Sequence, residues 1–427
     1  MAAKFEPPKG TRDFLPEEMR TRRRVFDTLT HYFQLYGFDE LDTPAFEQIE
    51  VLTLKSGAQA ENEIYSFVDK GGRKLGLRFD LTSSTGRVAA SHPELSRPIY
   101  RYQIGKVWRY DRPQAGRYRE FYQADCDILG SSSLGCEIEL LQMATEVLRA
   151  FDLHEYQLLI NNRKILEAQI RVAAIPIEKK ADALRSLDKL HKIGKDGVRD
   201  EFLKNGLSEA DFERFFAAIV VENLDDAAVR VQSDEKGLQG VAELKEIFAR
   251  ADKRGFGSKL RFDWTLVRGL DYYTGPIFEA HAKSEVGFGS FGGGGRYDDL
   301  IGLYGGPAEG AVGFSFGVER LIGLLTERGG KTDLGKTPVL VAALSPENVD
   351  GASELCLALR RSGVAVRFLG AVKKRDQAYK YSTANKMPRL ILIGDEELKT
   401  QVFSLRDGET RQEQKLGRDT LVSTLLS

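Results

Sequence analysis

Between Glu17 and Tyr36 the apolar residues Val25, Leu29, Tyr32, Phe33 and Tyr36 recur at three- and four-residue spacing. With Gly37 behind them they predict an amphipathic helix. From Arg97 to Leu129 the period changes to two. Ile99 to Arg109 alternates, Pro113 to Gly116 breaks the pattern and Tyr118 to Leu129 resumes it, which predicts an antiparallel hairpin with a polar, basic connection. The stretch 171–255 reads as a charged helical module. In it Leu184, Leu187, Leu190 and Ile193 mark one helix stopped by Gly194, and Ser208-Glu-Ala-Asp211 opens another as a capping box. Strands are predicted again at Lys259–Leu266 and Ile277–Ala282, so the helices interrupt a sheet domain. Beyond the Gly329–Thr337 linker, strand and helix alternate. Val339–Leu344, Val364–Phe368 and Leu390–Ile393 are strands; Ser345-Pro-Glu347 caps a helix running to Arg361, and Lys374–Lys386 is a second helix. Three such units predict a small parallel or mixed α/β sheet.

Composition narrows the class. The chain has 427 residues, 42% hydrophobic and 29% charged, which suits a globular protein of several domains. Its net charge of −1 removes a strong overall field as an argument for nucleic-acid binding, but residues 331–427 carry +4 against −5 elsewhere, a mild bias toward a polyanion-facing surface. No run of about 20 apolar residues occurs, and Met1–Gly10 lacks a secretory core, so a cytoplasmic protein without membrane contact is expected. Cys126, Cys136 and Cys356 show no CxxC spacing and the five histidines lie far apart, which gives no sign of structural zinc.

Two phosphate-binding patterns match in the wrong context. Gly330-Lys-Thr-Asp-Leu-Gly-Lys336-Thr337 satisfies the P-loop expression but follows a helix and leads into Pro338 and a strand. Gly287-Phe-Gly-Ser-Phe-Gly292 satisfies the dinucleotide expression but runs on into Gly293, Gly294 and Gly295 with no strand–helix–strand unit around it.

The hairpin is more informative. Arg109, Arg112, Arg117 and Arg119 crowd its turn beside Asp111 and Glu120. A charged turn alone is usually just solvated, yet Gln123, Asp125 and Asp127 share one strand face by their two-residue spacing. A guanidinium and two carboxylates on one sheet surface suit a ligand with both a phosphate and a cationic or hydrogen-donating group. Further along stand Leu266-Val-Arg268-Gly-Leu-Asp-Tyr272-Tyr273-Thr-Gly275, Gly292-Gly-Gly-Gly-Arg296-Tyr297-Asp-Asp299 and Gly313-Phe-Ser-Phe-Gly317-Val-Glu319-Arg320-Leu321. Consecutive glycines let a backbone approach a ligand closely; singly, Tyr272 and Tyr273 read as aromatic core and Gly317 as helix packing.

In this order the segments resemble the histidyl-tRNA synthetase family of class II aminoacyl-tRNA synthetases, over nearly the whole chain from Lys9-Gly-Thr-Arg-Asp13 onward. Gly37 to Pro44 resembles motif 1, Trp108 to Arg112 with Gly116 to Phe121 motif 2, and Gly313 to Arg320 motif 3; Arg268 to Tyr273 and Gly294 to Asp298 resemble the histidine-specific signatures. The resemblance implies an α+β fold. An antiparallel-sheet catalytic core would occupy 1–170 and 256–328, a helical insertion 171–255, a linker 329–337 and an α/β anticodon-binding domain 338–427. It further implies a homodimer through motif 1. The implied reaction is ATP-dependent ligation of L-histidine to tRNA(His) through histidyl-adenylate, with Mg2+ accompanying ATP on ligands that the sequence does not identify.

Site residues follow from the same resemblance. Arg109 and Arg268 would flank the α-phosphate, with Arg109, Arg268 and Gln123 as catalytic groups. Arg320 would meet the γ-phosphate and adenine, and Arg117 the triphosphate. Asp80 and Thr82 would bind the α-amino group. Asp127 would accept from the imidazole, with Gln123, Arg268, Leu270, Tyr272, Tyr273 and Tyr297 completing the histidine pocket. Arg112, Gln114 and Arg119 would meet the tRNA acceptor end, and Lys373-Lys374-Arg375 suit the anticodon. Two departures stand out. Ser83-Ser-Thr85 replaces a more apolar, Pro-containing run, and Asp127 stands where Glu is frequent. A rival in another class is a non-catalytic, histidine-sensing regulatory subunit of ATP phosphoribosyltransferase. It predicts loss of the signature Arg, the motif 3 Arg and the C-terminal domain, whereas Arg268, Arg320 and residues 338–427 are present.

Overall fold

The computed structural model describes residues 5–55, 61–110, 118–268, 272–282, 290–327, 337–407, 410 and 412–426. The chain divides into two units, Met1–Gly330 and Lys331–Ser427. The strands of the first unit are β1 (Asp39–Glu40), β2 (Phe46–Gln48), β3 (Ser66–Val68), β4 (Lys74–Leu77), β5 (Ile99–Trp108), β6 (Glu120–Leu129), β7 (Tyr156–Asn162), β8 (Leu260–Phe262), β9 (Pro276–Ala282), β10 (Gly292–Arg296) and β11 (Ala311–Gly317). Eight of them form one sheet in the order β1-β5-β6-β11-β10-β9-β7-β8. The ladder is antiparallel from β5 through to β7, with β1 and β8 added parallel at the edges. A smaller sheet, β2-β4-β3, stands apart.

One face of the large sheet is a dry core. Tyr102, Ala124, Cys126, Phe278, Phe314 and Phe316 lie there fully buried. The helix Pro16–Leu35 packs on it with Val25, Leu29 and Phe33, as its spacing predicts, and Gly135–Ala150 adds Leu140, Leu141 and Ala144. Burying such side chains yields about 1.5–3 kcal/mol each, which anchors the rigid platform. Arg22 of the first helix grips Glu319 of the helix Val318–Glu327 with both guanidinium nitrogens, at 2.6 and 2.7 Å, and so ties the chain's beginning to the residue next to Arg320.

The helical stretch differs from its prediction. Leu184 and Leu187 belong to a helix that ends at Asp188, and a second helix, Leu190–Lys204, contains Gly194 at φ +68°, a left-handed value that interrupts the α geometry. Leu184 and Leu187 are buried and Leu190 packs part-buried against their cluster, whereas Ile193 is 40% exposed. Ser208 does cap Glu209–Ile219 through a reciprocal pair with Asp211. The last helices, Leu224–Arg230 and Glu235–Lys253, share the core of the large sheet through Ala227, Leu244, Ile247 and Ala251. The strand predicted over Lys259–Leu266 stops at Phe262, because Asp263 caps a turn by accepting from Thr265 N at 2.9 Å. The glycine run Gly292–Arg296, not predicted as a strand, is fully buried in the middle of the sheet.

The second unit contains β12 (Val339–Ala343), β13 (Val366–Ala371), β14 (Arg389–Ile393), β15 (Val402–Asp407) and β16 (Glu413–Gly417), ordered β13-β12-β14-β15-β16. The first three pair in parallel, as the alternating pattern predicts; β15 and β16 extend the sheet antiparallel and make it mixed. Val349–Arg361 covers one face with Ala352, Leu355 and Leu359. Arg375–Ala384 covers the other with Ala378.

Candidate active site

The second face of the large sheet is equally buried but polar. Register puts Arg101, Asp127, Gly313, Gly295 and Ile277 in one row across β5, β6, β11, β10 and β9, and Gln103, Asp125, Ser315, Gly293 and Glu279 in the next. Over these rows lies a cavity of about 500 Å³. The glycines make its floor. A Cβ on Gly313 would collide with Asp127 Oδ1, and one on Gly293 would collide with Arg268 Nη1. Side chains at those points would occupy the ligand's space, which is why a strand so poor in β-formers runs there.

Most of the residues singled out from the sequence line this cavity: Asp80, Thr82, Arg109, Gln123, Asp127, Arg268, Tyr272, Tyr273, Tyr297 and Arg320. Arg112, Gln114, Arg117 and Leu270 lie outside the described residues. Arg119 is not among the lining groups. Its guanidinium stands over the Tyr110 ring at 4.4 Å, and the chain at Gly10 packs on its stem.

Both acidic and basic groups line the cavity. Asp80, just before the helix Thr82–Ser91, accepts from Ser83 N at 2.9 Å and pairs with the buried Lys55 ammonium at 2.8 Å. Burial opposes its ionisation, but Lys55 and the Ser83 bonds outweigh burial and hold the carboxyl below its ordinary range. Lys55 also sits 4.3 Å from the centre of the Tyr272 ring. Thus Ser83, in the atypical run, contributes its backbone N–H to Asp80, and the following residues form an ordinary helix. Asp127 receives the Tyr297 hydroxyl and an ion pair from Arg101. Burial pushes Asp125 up to about 6 and Asp127 up to about 7, with Arg101 resisting in both cases. Tyr272, Tyr273 and Tyr297 form an aromatic cluster beside them, with centroids 4.6–6.3 Å apart.

Among the basic groups Arg109, one residue past β5, is fixed by donating from Nε to the Phe79 carbonyl at 2.9 Å. Arg320, in the first turn of Val318–Glu327, donates to the Ser290 carbonyl. Arg268 adopts φ +58°, a strained value for a non-glycine residue, and its Nη1 lies 3.4 Å from Glu279 Oε1. Burial alone would raise Glu279, but His281, Arg268 and Ser290 outweigh it and bring the carboxyl down to about 2. Three guanidinium-bearing residues thus line one cavity together with Asp80, Asp125 and Asp127.

Four groups of this site were not singled out from the sequence. Lys55 and Arg101, which pair with Asp80 and Asp127, and Glu279, which lines the cavity, look like surface charges in a linear reading, and Asp188 comes in from the helix Lys180–Asp188 of the inserted stretch. The two-residue spacing of Arg101 and Gln103 within the predicted hairpin strand was the one available signal, since it matches that of Asp125 and Asp127.

A family model described as histidyl-tRNA synthetase matches residues 10–321, and one described as anticodon binding domain matches 338–427. The chain belongs to the histidyl-tRNA synthetase family. A histidine–tRNA ligase of Porphyromonas gingivalis is 34% identical over 98% of this chain and 99% of its own length. One from Thermococcus kodakarensis is 32% identical over 100% and 99%. The crystal structure of histidyl-tRNA synthetase from Nostoc sp. superposes with a TM-score of 0.85 at 26% identity, covering 99% of both chains. A Bacillus halodurans structure described as an ATP phosphoribosyltransferase regulatory subunit/histidyl-tRNA synthetase gives 0.74, also at 26% identity, covering 90% of this chain and 97% of its own. Membership of the histidyl-tRNA synthetase family makes the chain an enzyme of the ligase class that uses ATP, histidine and tRNA. No helix among the described residues is long and apolar enough to cross a membrane.

Proposed function

We propose that the cavity activates L-histidine with ATP, forming histidyl-adenylate and pyrophosphate, and then passes the histidyl group to the 3′-terminal adenosine of tRNA(His) with release of AMP. The observation that carries this reading is that one cavity is lined both by the guanidinium-bearing Arg109, Arg268 and Arg320 and by the carboxyl-bearing Asp80, Asp125 and Asp127. An amino acid with a cationic amine and an N–H-bearing ring suits the carboxylates, and a triphosphate suits the guanidinium groups. Its α-phosphorus then lies between the two, where the substrate carboxylate attacks it.

Arg109 and Arg268 stabilise the negative charge that builds on the α-phosphate, and because both are held by protein partners they need little reorganisation. Gln123, whose Nε2 donates to Ser315 Oγ at 3.0 Å, orients the reacting oxygens. Arg320 and Arg117 bind the rest of the nucleotide. Asp80 and Thr82 hold the α-amine, and Asp127 accepts from the imidazole within the wall of Tyr272, Tyr273, Tyr297 and Leu270. Arg112, Gln114 and Arg119 face the acceptor end, and residues 338–427 the anticodon.

Mg2+ would shield the triphosphate. Glu63 and Glu279 line the cavity, while no group of three or more His, Cys, Asp or Glu suited to a metal occurs among the described residues. That set fits an ion carried mainly by phosphate oxygens and water, with these carboxylates in support. Exposed Leu54, Phe46, Phe67 and Val68 form an apolar patch around the small sheet that supports a homodimer. Cytoplasmic location is part of the same reading. The regulatory-subunit reading has no specific observation in its favour.

The test is ATP–pyrophosphate exchange with each of the twenty amino acids in turn. Exchange with histidine alone is expected. Histidine binding in calorimetry without exchange would remove the catalytic reading. Deleting residues 338–427 is expected to spare exchange and abolish tRNA charging.

A further inference from the structure

Arg101 is not among the residues lining the cavity and has no role assigned above, yet it is among the most completely buried charged residues of the chain, at 2% exposure. It lies directly opposite Asp127 across the β5–β6 ladder, so both side chains rise from the same face. Its Nη2 pairs with Asp127 Oδ2, and Nε and Nη1 have no hydrogen-bond partner among the described residues. Asp125, two residues along β6, is the second carboxylate that feels this charge. The other ionisable groups around the cluster are Lys55 and Asp80 across the cavity, Tyr297 on Asp127 Oδ1, and Cys126 on the opposite face.

A buried cation is expensive to retain and gives little stability over a well-packed apolar substitute. What it does supply is a bias toward the ionised form of its partner, against burial. A carboxylate accepts only, whereas a protonated carboxyl also donates. Without a cation beside it, a carboxyl as buried as Asp127 would be neutral over a wider range and would then tolerate a ring offering only a lone pair. The cation extends the range in which Asp127 is ionised, and a ring without N–H leaves that form unsatisfied.

We propose that Arg101 is a positioning residue for amino-acid selection: by clamping Asp127 from below, it keeps that side chain an acceptor and so makes the pocket demand an N–H donor from the substrate ring. This rests on the reading that Asp127 receives the imidazole. Arg101 acts through Asp127 and does not touch the substrate.

The experiment is ATP–pyrophosphate exchange by the full-length wild type, Arg101→Met, Arg101→Lys and Asp127→Ala. The substrates are L-histidine and β-(2-thiazolyl)-L-alanine, whose ring nitrogen accepts but carries no hydrogen. In Arg101→Met the KM for histidine should rise about tenfold or more while the KM for ATP stays within about twofold. The preference for histidine over the thiazolyl analogue, as a ratio of kcat/KM, should fall about tenfold, and Arg101→Lys should restore most of it. A merely structural role would lower both amino acids alike and leave the ratio at its wild-type value, which overturns the proposal. If Arg101→Met shows no cooperative thermal transition, the neutral Arg101→Gln takes its place: a reduced ratio in the folded protein supports the clamp, and a wild-type ratio refutes it. Asp127→Ala separates the two readings. Loss of histidine activation there, with an unchanged ratio in the Arg101 variants, overturns the clamp alone. An unchanged histidine KM in Asp127→Ala overturns the ring assignment and the clamp with it.

Discussion

The strands β5, β6 and β11 present two faces that are both largely buried and built of opposite materials. Toward the helices they present Tyr102, Ala124, Cys126, Phe314 and Phe316, all at 2% exposure or less. Toward the cavity they present Arg101, Gln103, Asp125, Asp127, Gly313 and Ser315. The first face repays its burial in transfer free energy. The second binds carboxylates and guanidinium groups that water would solvate better, so the first face must carry it. Burial alone therefore does not distinguish core from site; the distinction is whether a buried group is satisfied within the fold or kept for a ligand.

Four substitutions probe that division. Arg268→Ala should slow single-turnover adenylate formation by roughly 10³-fold while histidine affinity changes far less, because the guanidinium acts where charge develops. Equal losses in rate and affinity would make it a ground-state binding group. Phe316→Ala, on the core face, should lose about 3 kcal/mol in urea unfolding and leave the histidine KM unchanged at a temperature where the protein is folded. A shifted KM would mean that the faces are not independent.

Gly293→Ala sets a Cβ 2.6 Å from the Phe278 carbonyl and in collision with the Arg268 guanidinium. Displacing that group should reduce kcat in exchange by about 10–100-fold, with a smaller effect on histidine KM. A neutral outcome would show that Arg268 has room to spare.

The smallest effect concerns pH. Because burial raises Asp127 to about 7 in the folded protein, against an ordinary value of 3.8, the folded state favours the protonated form. Its stabilising contribution is present below the ordinary carboxylate range and is lost as pH rises through about 7. Asp127→Asn removes that loss. In urea titrations at pH 5 and pH 8 the variant should gain on the wild type at the higher pH, although it activates histidine poorly. A gap independent of pH would show that Asp127 has the same proton affinity folded and unfolded.

Legibility followed side-chain pattern. The helix Pro16–Leu35, the β5–β6 hairpin and the Ser208 cap were all visible, because period and capping chemistry are local. Leu184 to Ile193 read as one helix and is two, since the leucine spacing continued past the point where Asp188 turns the chain toward the cavity. The strand β10 was hidden because four glycines carry no alternation; its reason for existing, the close approach of Arg268 to Gly293 and of Tyr273 to Gly295, is a tertiary fact. Among the site residues, those on motif segments were named in advance. Lys55, Arg101, Glu279 and Asp188 were not, because each matters through a partner distant in sequence or on a neighbouring strand.

By itself the sequence determined the elements that carry a clear period or cap, the family and most of the charged and aromatic residues that line the cavity. These depend on periodicity, turn chemistry and ordered motifs, all of which are written along the chain. Only the tertiary structure decided which buried charges neutralise which. Strand register set Arg101 under Asp127, and the packing of the helix Ile49–Thr53 and its following turn brought Lys55 to Asp80. The reason is electrostatic: a charge acquires its proton affinity and its role from neighbours a few ångströms away in a poorly solvated space, and nothing in linear order measures that distance.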